Sequence, residues 1–275
     1  MKEKRSKFSK SGIVMFFYYL FDFVWFYIKA PYYIIKGLVF ILNKSKEASR
    51  KISVESKRKS LEAKYWPFRV LQTDNGSFDK WENKVMKSES SIGIIVGARG
   101  SGKTAFGIKL LENIYAKKKK RCFAMGFPQE EMPSWIQVID NVKNIVNDSY
   151  LLIDEGGILF SSRRAMTNVN KLMSDLLLIA RHKNLSIIFI SQNSSNLDVN
   201  IIRQADYLVL KKSSLLQRDF ERKRIQDIYN SLDKKFAKYD SKKTSYIYSE
   251  EFTGFAENEL PSFWSTKISK SFAKR

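Results

Sequence analysis

Gly97-Ala-Arg-Gly-Ser-Gly-Lys-Thr104 fits the pattern G-x-x-x-x-G-K-T, and each fixed position answers a need of phosphate binding. Gly97, Gly100 and Gly102 let the chain curl, so that the backbone N–H groups of Gly97, Ala98, Arg99, Gly100, Ser101, Gly102, Lys103, Thr104 and Ala105 gather around one anion. The Lys103 ammonium reaches the β/γ-phosphates and the Thr104 hydroxyl is a ligand for Mg²⁺. Asp154, 51 residues after Lys103, and Glu155 end an apolar run, Ser149-Tyr-Leu-Leu-Ile. Asp154 orients the Mg²⁺ shell and Glu155 polarises an attacking water. A glutamate directly after the metal-binding aspartate favours water as nucleophile. No [NT]-K-x-D guanine-reading motif occurs, so a GTPase or small-molecule kinase is disfavoured and ATP hydrolysis is expected. A third polar tip, Gln192, closes the run Leu185-Ser-Ile-Ile-Phe-Ile-Ser191. It either hydrogen-bonds the γ-phosphate or the lytic water, or is an ordinary polar residue at a strand end.

These residues need strands and helices to hold them. Ile92 to Val96 reads as a buried strand, and Phe106, Leu110 and Ile114 recur at helical spacing behind the glycines, which puts the phosphates at a helix N-terminus. Further strands are expected at 122–127, 149–154, 185–191, 207–210 and 245–248, with a helix over 168–181. Leu215, Leu216, Phe220, Ile228, Leu232, Phe236 and Tyr239 mark one long amphipathic helix. Residues 128–146 have no regular pattern. The basic run Lys117 to Arg121 reads first as a solvated helix end favoured by the macrodipole. Alternating strands and helices predict an α/β fold with a doubly wound, mainly parallel sheet, right-handed crossovers and the ligand at the carboxyl ends of the strands.

The 275 residues carry a formal net charge of +21, of which residues 1–64 hold +10 and the remainder +11. Such a balance points to a polyanion, either nucleic acid or an anionic membrane surface. One cysteine, Cys122, excludes an internal disulfide, and one histidine, His182, cannot anchor a metal cluster alone. Residues 13–42 form a dense apolar and aromatic run interrupted by Asp22, Lys29 and Lys36. Both flanks are basic, and no small-residue cleavage site follows, which argues against a secretory signal. A spanning helix, a helix lying in the interface and a hairpin turning near Pro31 all remain open. The expected division is a membrane-associating segment over 1–42, a basic connector over 43–64, a nucleotide-binding domain over 65–255 and a basic tail over 256–275. The nucleotide-binding domain is expected in the cytoplasm.

Taken together, Gly97 to Thr104, Asp154-Glu155 and Ser191-Gln192 resemble the additional-strand, catalytic-glutamate P-loop ATPases. The phrase Ala180-Arg-His-Lys-Asn-Leu-Ser-Ile-Ile-Phe-Ile-Ser-Gln192, with Ile201-Ile-Arg-Gln-Ala-Asp206 beyond it, is similar to the FtsK/HerA group, which includes viral DNA-packaging ATPases and the Zot-like assembly proteins of filamentous phages. The resemblance covers about residues 90–212. It implies a glutamine-tipped strand between the other two, a homo-oligomeric ring, and ATP-driven movement of DNA for a virus or mobile element. A protein-directed assembly or secretion ATPase is the alternative. The resemblance also casts Arg181 as an arginine that completes a neighbouring subunit's site; as a cation at a helix C-terminus it has a structural explanation as well. Arg163 and Arg164 either face a central pore or lie in a solvated loop.

Overall fold

The computed structural model describes residues 7–87, 90–156, 166–239 and 242–270. The chain forms two compact units, Met1–Ser56 and Lys57–Arg275. Most of the first unit is helix α1, Lys7–Ser60, whose last turn belongs to the second. Its 54 residues give a rod about 80 Å long at about 1.5 Å per residue. The helix runs through Pro31, so the hairpin turn considered at that proline is not made. Large apolar side chains line it without cover: Phe16, Phe26 and Phe40 are 65%, 67% and 67% exposed. By length and composition α1 is long and apolar enough to cross a membrane. The connector expected over 43–64 is helical as far as Ser60, and its last part already belongs to the second unit.

The second unit is built on a sheet of nine strands among the described residues: β1 Arg69–Gly76, β2 Ile92–Val96, β3 Arg121–Met125, β4 Ile136–Val138, β5 Ser149–Asp154, β6 Ser186–Ser191, β7 Tyr207–Leu210, β8 Thr244–Ser249 and β9 Phe252–Glu257. Their order is β1-β9-β8-β7-β2-β6-β5-β3-β4. From β7 to β4 every pairing is parallel. Strands β8, β9 and β1 extend that sheet antiparallel at one side. The mainly parallel, doubly wound architecture is therefore the one expected, with β6 between β2 and β5.

Continuous apolar strands bury both faces, as parallel sheets require. Ile95, Leu152, Ile188 and Ile190 face one core with Trp81 and Val85 of helix α2, Phe78–Lys87, and with Phe106, Leu110 and Ile114 of helix α3, Lys103–Lys118. Ile94, Val96, Leu151, Ile153, Ile187 and Phe189 face the other. That side is covered by Leu176, Leu177 and Ala180 of helix α4, Met166–Lys183, and by Ile225, Tyr229, Leu232 and Phe236. A Cβ on Gly107 would lie 2.8 Å from Leu152 Cδ1 and 3.1 Å from Ile190 Cδ1, so glycine there lets α3 sit close on the sheet.

Two expectations are corrected, and one unassigned stretch is filled. The long helix over 215–239 is two helices, Leu215–Asp219 and Lys223–Phe236, because the chain turns at 220–222 to bring Glu221 inward. Leu215, Leu216 and Phe220 are consequently exposed, and only the later apolar set packs. Residues 256–270 are not a free tail: Ala256 ends within β9, and Phe263 and Ile268 are buried in the core. Residues 128–146, unassigned from sequence, contribute edge strand β4 beside β3.

Candidate active site

The site lies where β2, β5 and β6 end. Strand β2 runs into the glycine loop and α3 begins at Lys103, capped by Gly102 in the left-handed conformation (φ 92°). A Cβ on Gly102 would stand 2.3 Å from the Lys242 carbonyl oxygen, so only glycine fits. No acidic residue occupies the first turn of α3. Its free N–H groups and positive dipole end are left for an anion.

Two further features suit phosphate. Ser101 Oγ in the loop is buried with no hydrogen-bond partner among the described residues, and a phosphate oxygen would supply one. Lys103 is 8% exposed, and its Nζ donates to the carbonyls of Gly97 at 2.7 Å and Ala98 at 2.9 Å. Burial lowers its pKa to about 8, opposed by the negative charges of Asp154, Glu155 and Glu221. A cation held so near carboxylates and inside the loop can exchange its carbonyl partners for phosphate oxygens.

Thr104 Oγ1 lies 3.4 Å from Asp154 Oδ2, so the two expected Mg²⁺ ligands from distant parts of the chain are brought together. No cluster of three or more His, Cys, Asp or Glu that would hold a metal occurs among the described residues. A pair of oxygen donors completed by phosphate and water is the donor set magnesium favours.

Glu155, 4% exposed, follows Asp154 at the end of β5. Burial raises its pKa above the ordinary carboxylate range; the Ser191 hydrogen bond opposes that rise and the charge of Asp154 adds to it. A carboxylate so raised is a better proton acceptor. Ser191 Oγ donates to Glu155 Oε2, a contact between adjacent strand tips that sequence reasoning passed over in favour of the next residue. Gln192 is exposed just past the end of β6, and its carbonyl accepts from Gln217 Nε2 at 2.6 Å.

Sequence reasoning also missed Lys211. It is fully buried at the end of β7, with Nζ 3.2 Å from Asn258 Oδ1 and 3.3 Å from the Lys243 carbonyl. Its backbone N–H donates to Val96 O at 2.8 Å, and Ala98 N–H donates to Lys212 O at 3.2 Å. The loop is thus braced from behind by β7. No motif marks this lysine in the sequence, because its place follows from strand order alone.

Arg181 is exposed in the last turn of α4, before β6 begins. It lines a cavity of about 320 Å³ with Arg203, Asp206, Ser90 and Ile92, residues at the amino ends of β2 and β7. The phosphate loop leaves the opposite end of β2, so the structure does not bring Arg181 to this chain's own site. Arg163 and Arg164 lie outside the described residues.

The family model described as Zonular occludens toxin (Zot) matches residues 126–216. No curated protein matches the chain. Among solved structures it is similar to the genome packaging NTPase B204 from Sulfolobus turreted icosahedral virus 2, at 14% identity over 63% of this chain and 100% of that one, with a TM-score of 0.45. It is also similar to the conjugation coupling protein TcpA, at 12% identity over 68% of this chain and 65% of that one, with a TM-score of 0.43. For the KaiC-like protein PH0186 from Pyrococcus horikoshii the identity is 11% over 71% of this chain and 95% of that one, with a TM-score of 0.40. Such distant overlaps add nothing to what the chain's own strands declare. The insertion of β6 between the phosphate-loop strand and the Asp-Glu strand gives the second unit the arrangement of a P-loop NTPase fold, and the part of the chain that the Zot family model matches, residues 126–216, includes the Asp-Glu strand and β6.

Proposed function

We propose that this chain is an ATP-driven motor that moves DNA, held at a membrane by α1 and working as a homo-oligomeric ring for a virus or mobile element. The observation that supports the hydrolytic half of this reading is the Glu155–Ser191 contact at the tips of adjacent strands, which fits Glu155 as a base acting on water. In this reading the Lys103 ammonium and the N–H groups between Gly97 and Ala105 hold the phosphates, apart from those of Ala98 and Ser101, which donate to Lys212 O and Ala98 O. Thr104 and Asp154 would hold Mg²⁺, which would supply charge neutralisation to the phosphates when bound. Glu155 takes the proton of the attacking water, and Gln192 meets the γ-phosphate or that water. Arg181 acts in a neighbouring subunit, since its own site is beyond reach.

DNA as the moved substrate is supported by the +11 carried outside residues 1–64, an excess that suits a phosphate backbone. The exposed aromatic run of α1 and its basic flanks support a membrane partner with the ATPase domain on the cytoplasmic side. A second reading, a protein-directed assembly ATPase, is favoured by the family match over 126–216. ATP turnover of the full chain in detergent, with and without duplex DNA across a salt series, separates the two. The motor reading expects DNA to raise turnover and salt to abolish the rise steeply, with a log–log slope near −0.9 per phosphate contact. Turnover indifferent to DNA at low salt in an assembled sample selects the second reading.

A further inference from the structure

The loop after β6 is bound to a corner of the chain that none of the motifs includes. Glu221 is 7% exposed. One carboxylate oxygen accepts the Ser194 N–H at 2.8 Å and the Ser194 hydroxyl. The other accepts from Gln217 Nε2 at 2.9 Å, and the same amide nitrogen donates to the Gln192 carbonyl at 2.6 Å. Arg222 completes the clasp, its guanidinium donating to Ser194 O at 3.1 Å and Leu197 O at 2.7 Å. Between the two tied residues lies Asn193, whose N–H donates to Ser191 Oγ at 3.3 Å. That hydroxyl is the one that holds Glu155.

We propose that Glu221 is a positioning residue for hydrolysis: through Ser194 and Gln217 it fixes residues 192–194, and through them the Ser191 hydroxyl that aims Glu155. The inference rests on the reading of Glu155 as the base. Residues 192–196 place no large apolar side chain in the core, which the loop enters only at Leu197, so these bonds fix its tip, and a base must stay within hydrogen-bond reach of its water to work. A buried carboxylate with several donors gathered on it is a fixed point. It also explains why the chain turns at 220–222 instead of continuing one helix: the turn is what delivers Glu221 to Ser194.

The test uses the full chain. Glu221→Gln keeps the shape of the side chain and replaces an acceptor oxygen with an amide, so Ser194 and Gln217 can no longer both donate to it. Its kcat should fall about 10- to 100-fold, the range seen when a partner that orients a functional ligand is removed. KM for ATP and affinity for a non-hydrolysable ATP analogue should stay within roughly twofold. Ser191→Ala should lower kcat as well, and Glu221→Gln with Ser191→Ala should be no slower than the slower single variant, because both act along one path. Gln217→Leu frees the same loop without touching a buried charge and should lower kcat in the same direction; it decides the matter if Glu221→Gln does not fold. Wild-type kcat in Glu221→Gln and Gln217→Leu, or losses that multiply in the double variant, would overturn the proposal. Glu155→Gln is run alongside: parental turnover there removes the base assignment itself, whereas a dead Glu155→Gln beside a normal Glu221→Gln removes only the positioning role.

Discussion

The Glu112 carboxylate on α3 accepts the backbone N–H of Ser262, 3.1 Å away in space and 150 positions along the chain. The same carboxylate takes the Ser262 hydroxyl and the Lys64 N–H at 3.0 Å, and is paired with Lys109 Nζ at 2.9 Å. Both ends of the second unit are thereby fastened to the helix that begins at the phosphate loop. Lys109 and Glu112 are 1% and 0% exposed, so the pair has no water to fall back on.

Removing one partner should therefore be costly. Glu112→Ala leaves the Lys109 ammonium buried without its counter-charge, for which the usual penalty is about 3–5 kcal/mol. Replacing both, Lys109→Met with Glu112→Gln, should recover part of that loss, since neither residue then buries a charge and the amide oxygen can still accept from Lys64 and Ser262. Chemical denaturation of the variants gives the comparison. A loss below about 1 kcal/mol in Glu112→Ala would show that the pair contributes little.

Where the second unit begins leads to another expectation. Arg58 Nε donates to Met132 O at 2.8 Å, and the Leu61 carbonyl accepts from Trp135 Nε1 at 3.1 Å. A chain starting at Lys57 keeps these bonds and should be a soluble, folded ATPase without the exposed aromatic run. One starting at residue 65 forfeits them together with the Lys64 N–H, and should be less stable by about 3 kcal/mol at roughly 1 kcal/mol per bond. That corresponds to roughly 6–12 °C in Tm for a domain of this size. Equal Tm for the two truncations would place the boundary at 65 after all.

How far the sequence revealed this arrangement differs from element to element. Strands β2, β5 and β6 are buried on both faces, so their uninterrupted apolar runs stand out, and the polar residues at their ends mark the site. Strand β1 is largely exposed at the sheet's edge, and its string Arg-Val-Leu-Gln-Thr-Asp-Asn-Gly has neither alternation nor a run to betray it. Helical spacing carried the eye from Leu215 to Tyr239, because periodicity does not register a turn that exists to bring one glutamate inward. Lys103, Thr104 and Asp154 could be paired from their motifs alone. Ser191, Lys211 and Glu221 could not, since their partners come from strands and corners whose neighbourhood only the fold defines.

The chemistry assigned to Lys103 and Glu155 separates binding from turnover. Lys103→Ala removes the cation facing the β/γ-phosphates and should weaken nucleotide binding by about tenfold or more, as loss of a charged hydrogen bond implies. Glu155→Gln keeps the shape and the Ser191 neighbour but not the basicity. ATP affinity should be unchanged while phosphate release falls by about 10²–10⁴. Titration with a fluorescent ATP analogue and a phosphate-release assay give the two numbers for each variant. Equal loss of affinity in both would mean that Glu155 serves to hold the loop and not to activate water.

Arg181 offers a test of the ring. It sits at the amino ends of the strands beside Arg203 and Asp206, while the phosphate loop is at the carboxyl ends. It can then stabilise transition-state charge only in a second copy, where such an arginine is worth about 10³-fold or more in turnover. Arg181→Ala alone should bind ATP normally and be nearly inactive. Lys103→Ala alone should be inactive too, yet its surface still offers Arg181 to a neighbour. Mixed one to one, the two dead proteins should recover about a quarter of parental turnover, because about one interface in four joins a site with Lys103 to a neighbour with Arg181. Dilution below the assembly concentration should remove that activity. No recovery in mixtures that do form mixed rings would assign Arg181 to the cavity it lines and to the C-terminal dipole of its own helix.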